Sequence, residues 1–149
     1  MDAMLTWIVR ALHVLGAAVW LGGYALMLLV IVPYLARTRD ESVRRLAMSA
    51  VRLISYASVL TIVGGLALIW RSRGYGFLLA GEWGGIVITC IVLALALGAL
   101  GDAGLRPALR RLDADPPGSV AAVRRWALAG LLIGVLAVLL MTRAIYART

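Results

Sequence analysis

Apolar residues run in long stretches along this chain, and polar positions are gathered into short breaks between them. Four stretches, about 5–35, 47–70, 84–101 and 126–146, are long enough to cross a bilayer. A spanning helix needs about 20 apolar residues, because its backbone must satisfy itself where water is absent. The four fill nearly all of the 149 residues. The pattern therefore predicts an all-α polytopic membrane protein, a single domain built as an antiparallel four-transmembrane-helix bundle. Residues before the first stretch, Met1 to Thr6, carry no basic side chain, and the apolar run is far longer than a leader's, so a spanning helix is expected there and not a signal peptide.

Small residues spaced four apart, Gly130 with Gly134 and Ala94 with Gly98, allow helix backbones to approach closely. The pairs Gly22–Gly23 and Gly64–Gly65 read either as contact points or as bends. The third break, "GLRPALRRLDADPPGSVAAVRR", holds Pro107, an arginine-rich turn and Pro116-Pro117-Gly118. It reads as a short surface helix over about 106–113 or as a solvated basic loop.

Composition agrees with the pattern: 63% of residues are hydrophobic and 15% charged. The net charge is +8, and all 15 basic residues are arginine. In a soluble protein that excess would point to nucleic acid. Here the arginines lie between spans, where anionic headgroups are the counter-charge, so the bilayer and no nucleic acid is the expected partner. The first and third breaks carry Arg37, Arg39, Arg44, Arg45, Arg106, Arg110, Arg111, Arg124 and Arg125, against Arg71, Arg73 and Arg148 on the other side, with Arg10 and Arg143 just inside spans there. The positive-inside rule then puts both termini outside. The lone Cys90 excludes an internal disulfide.

Ionisable groups inside spans cost roughly 2.5 to 3.5 kcal/mol each on insertion scales, so each asks for a partner or a wet site. They are Arg10, His13, Arg52, Glu82, Asp102 and Arg143. Arg52 and Asp102 fall at similar depth and are expected to form a structural ion pair. Arg10, His13, Glu82, Met141 and Arg143 fall near the opposite end and are expected to cluster. On a helix, His13, Gly16, Ala17, Trp20, Tyr24 and Met27 share one face. A flat ligand could lie over Gly16 and Ala17, with His13 ligating it. Imidazole suits haem iron or copper, while Met27, Met141 and Cys90 are soft ligands suited to Cu(I). Arg10 and Arg143 would pair with haem propionates. Alternatively His13 bonds Glu82 or a helix carbonyl, and the arginines reach for headgroups. Trp7, Trp70, Trp83, Trp126 and Tyr146 fall at span ends and are expected as interfacial anchors. No nucleophile, carboxylate pair or phosphate loop supports hydrolytic or transferase chemistry.

The segment "WIVRALHVLGAAVWLGGYALMLLVIVP" resembles the opening helix of the bacterial CopD-like integral membrane proteins, where an early His precedes a Trp-x-Gly-Gly type pattern. It is also similar to the first helix of HemJ-type protoporphyrinogen oxidases. His13, Trp20, Gly22 and Gly23 match the shared pattern, and the stretch "RRLAMSAVRLISYASVLTIVGGL" extends the likeness. The resemblance implies a bacterial-type inner-membrane protein and a ligand role for His13. The HemJ type uses a lysine with its histidine, and this chain has no lysine, which weighs against that oxidase activity. Three expectations follow: a CopD-like protein handling copper at His13, a haem-b membrane redox protein, or a cofactor-free accessory subunit. With one histidine in the chain, a bis-histidine haem would need a homodimer, and the accessory reading needs a larger membrane complex.

Overall fold

A computed structural model describes residues 2–38, 40–72, 74–79 and 81–147. Arg39, Arg73 and Arg148, counted above for orientation, lie outside the described residues. Four helices are long and apolar enough to cross a membrane: α1 (Ala3–Arg37), α2 (Glu41–Ser72), α3 (Gly81–Arg110) and α4 (Pro116–Ala144). No strand occurs among the described residues. The all-α four-helix reading of the hydropathy pattern is what the chain forms.

The helices run past the apolar stretches, mostly at the arginine-rich end. Hydropathy falls at the edge of hydrocarbon, but helix propensity does not, and arginine is a good helix former. Asp40 starts α2 by accepting the Ser42 N–H at 2.8 Å. That amide and the Ser42 hydroxyl hold its carboxyl below the usual carboxylate range. Asp115 caps α4 by accepting the Gly118 N–H at 3.1 Å, and the two prolines that read as a break occupy the first turn, where a missing N–H costs nothing. Residues 106–110 do not make a separate surface helix. They continue α3, with Leu105, Ala108 and Leu109 buried, and a turn follows over 111–114.

Both interior prolines follow a wide turn. Met27–Ile31 and Leu100–Leu105 are π-helical, preceding Pro33 and Pro107. A proline inside a helix lacks one donor and crowds the carbonyl four residues back, and a widened turn relieves that crowding.

The main core fills the arginine-rich half, where Tyr24, Met27, Ile31, Val51, Ile54, Leu105, Leu109 and Val123 are fully buried. A smaller cluster of Ile69, Trp83, Val87, Ala144 and Ala147 closes the other end. Glycines set the spacing of the helices: Gly23 takes Ile54 against it, Gly104 the Trp126 ring, Gly134 Leu21, and Gly130 the Tyr24 ring. Trp7, Trp70 and Tyr146 are exposed, as anchors would be. Trp83 is not: it is buried in the smaller cluster, against which Leu78 from the turn before α3 packs.

Candidate functional site

His13 sits in the seam between α1 and α2. Its Nδ1 lies 2.7 Å from the Thr61 carbonyl oxygen, and since a carbonyl only accepts, Nδ1 carries the proton and donates. The ring rests on the Gly64–Gly65 step. A Cβ on Gly64 would meet the His13 Cβ at 3.1 Å, and one on Gly65 would meet Cε1 at 3.0 Å. This glycine pair is a contact point, not a bend. In the neutral form of the ring this arrangement leaves the lone pair on Nε2. Nε2 has no hydrogen bond to any described residue, and it is not sealed from the surroundings as Trp20 Nε1 is, the one buried side-chain polar atom without a partner among the described residues.

The open platform expected over Gly16 and Ala17 is absent. Gly16 is buried, and a Cβ there would meet Thr61 Oγ1 at 2.7 Å. Thr61 fills the space because its hydroxyl turns back to the Ala57 carbonyl at 2.7 Å. Trp20 is a core residue at 4% exposure, and its buried indole N–H has no hydrogen-bond partner among the described residues.

The soft ligands are dispersed. Met27 is fully buried in the main core, 14 residues and hence about 21 Å along the helix from His13. Cys90 belongs to the α3–α4 pairing, its Sγ 3.8 Å from the Ala137 carbonyl. Met141 lies on α4, 40% exposed. The described residues include no group of three or more His, Cys, Asp or Glu able to hold a metal ion. Side chains this far apart in sequence come together only if the bundle brings their helices together, and here Met27 is spent in the core, Cys90 in the α3–α4 pairing, and Met141 is exposed.

The charged residues divide likewise. Arg143 pairs with Glu82 across α4 and α3, Nη2 to Oε1 at 2.7 Å. Arg10, exposed on α1, lines a shallow recess of about 420 Å³ with Ala3, Thr6, Trp7 and Arg71, and the Arg71 Nε donates to Thr6 Oγ1 at 2.8 Å. The expected single cluster is therefore two. Asp102 does not pair with Arg52. It pairs with Arg106 one turn along its own helix, Nη2 to Oδ1 at 2.8 Å, and accepts from Ser55 Oγ at 3.2 Å. Ser55, one turn further along α2, is the residue that points at α3, and Arg52 is exposed.

Tyr24 was legible only as one of a face. It is fully buried, its hydroxyl donating to the Leu97 carbonyl at 2.6 Å while its ring lies on Gly130, so one side chain ties α1 to both α3 and α4. A tyrosine in mid-span has no interfacial role, which was the available signal. No protein-family model, curated protein or solved structure matches the chain.

Proposed function

We propose that this chain is an inner-membrane subunit in which His13 is the single imidazole offered to a haem-type iron, completed by a second chain, with Arg10 near the cofactor's carboxylates. One observation carries the reading. Nδ1–H donates to the Thr61 carbonyl, so the neutral ring turns its Nε2 lone pair away from this bond, the arrangement that orients ligating histidines. Left in hydrocarbon without a partner, that lone pair carries a desolvation cost. Haem fits this donor set better than copper does. A porphyrin supplies most of the ligands to its iron and needs one imidazole, whereas Cu(I) needs several soft donors together, and here Met27 is in the main core, Cys90 faces Ala137 and Met141 is exposed. When bound, such an iron supplies one-electron exchange. Arg10 lies on the same face as His13, one turn nearer the helix start. Because Thr61 fills the space over Gly16, the cofactor would lie against the open flank of α1, and a second copy would enclose it. In this reading the arginine-rich end is cytoplasmic and both termini are outside.

Expression with ample haem tests the proposal. The expected result is a purified protein with a Soret band that His13→Ala abolishes and Arg10→Gln weakens without abolishing. A colourless protein would overturn it. Copper handling, the alternative from the CopD resemblance, would require a Cu(I) stoichiometry that falls in His13→Ala.

The tightness of the seam favours a second reading. Gly16 against Thr61 and Gly64 against His13 leave little slack, as a helix clamp in a cofactor-free accessory subunit would. A colourless chain whose His13→Ala variant melts earlier, and which travels with a larger complex, is the outcome it predicts.

A further inference from the structure

A groove of about 940 Å³ opens at the arginine-rich end, between the last turn of α1 and the first turns of α4. Arg37, Arg124 and Arg125 stand on it, and Leu35, Val120 and Leu128 continue it toward the apolar body of the bundle. We propose that this groove is a binding site for an anionic phospholipid, with the three guanidinium groups on its phosphate and an acyl chain along the apolar wall.

Charge bookkeeping at this end of the molecule carries the argument. Glu41 and Asp113 are taken by Arg44. Asp102 is taken by Arg106, while Asp40 and Asp115 are turned onto the Ser42 and Gly118 amides of their own helix starts and form no ion pair with an arginine among the described residues. Arg37, Arg124 and Arg125 are thus left without a carboxylate among the described residues, and they stand on one recess. Three like charges held together repel one another unless an anion joins them, and arginine's planar fork matches phosphate oxygens two at a time. The recess lies at the ends of two helices long enough to span the bilayer, which is headgroup level. A free phosphate would use the arginines and leave Leu35, Val120 and Leu128 idle. A lipid uses both, which commits the site to lipid. Basic pockets between spanning helices bind headgroups in this way.

Each arginine near an anionic lipid surface is worth about fivefold in affinity, so three together give on the order of a hundredfold. The test is delipidated full-length protein in detergent, titrated with phosphatidylglycerol, phosphatidylcholine or inorganic phosphate, and read by native mass spectrometry and Tm. Expected is a bound phosphatidylglycerol that raises Tm, with phosphatidylcholine and inorganic phosphate ineffective. The variant Arg37→Gln/Arg124→Gln/Arg125→Gln should lose this selectivity. Arg45→Gln/Arg110→Gln/Arg111→Gln, which removes equal charge from exposed positions at the same end, should keep it. Equal losses in the two triple variants would overturn the proposal, as diffuse attraction would then suffice. So would stabilisation by inorganic phosphate alone, or equal response to the two lipids, and these last comparisons need only the unmodified chain.

Discussion

Tyr24 and Gly130 form the closest contact of a glycine with another helix among the described residues. The ring occupies the place where a Gly130 side chain would project, and the hydroxyl holds the Leu97 carbonyl on a third helix. Tyr24→Phe keeps the ring and removes the bond, and hydrogen bonds between membrane helices average about 0.6 kcal/mol, reaching about 1.7. Gly130→Ala drives a methyl into the ring, and overpacking of a filled core costs about 1–3 kcal/mol. Unfolding in mixed micelles should therefore rank Gly130→Ala below Tyr24→Phe, and both below the parent. A Gly130→Ala protein as stable as the parent would mean that α1 and α4 are not held this closely. The histidine obeys the same logic, since its ring is placed by two glycines on the neighbouring helix that no pattern within α1 could reveal.

Between elements, polar contacts follow helix faces more than depth. Ser55 and Arg52 are one turn apart on α2, but Ser55 meets Asp102 and Arg52 is exposed. A double-mutant cycle on Asp102→Asn and Arg52→Gln should give a coupling near zero. The cycle on Asp102→Asn and Arg106→Gln should give about 0.3–0.5 kcal/mol, the range of a pair one helical turn apart with partly exposed partners. A larger coupling to Arg52 would overturn the assignment. The segment around Pro107 teaches a related lesson. Its arginines suggested a surface element, but three of its apolar residues, Leu105, Ala108 and Leu109, are buried against the bundle, and that spacing on one face is what kept α3 going.

At the scale of the whole molecule, arginine is unevenly distributed between the two ends, which is the basis for expecting an orientation. Nine arginines lie in or beside the two connections at one end, and the same end holds the main core and the groove. Alkaline phosphatase fused to the C-terminus should be active, and green fluorescent protein fused there should be dark, if that end faces the cytoplasm. The reverse pattern would turn the molecule over and move the lipid groove to the opposite leaflet. The sequence by itself determined the class and the number of spans, because burying backbone in hydrocarbon imposes long apolar runs that can be counted without knowing any contact. It also marked His13, Glu82, Asp102 and Arg143 as residues in need of partners, since charge and polarity in a span are costly wherever the helix lies. Only the tertiary structure decided who the partners are. Thr61 receives His13, Arg143 receives Glu82, and Arg106 with Ser55 receives Asp102, because the rotation of each helix about its axis is set by glycines fitting against bulky side chains of its neighbours, a complementarity between distant parts of the chain that no single helix records.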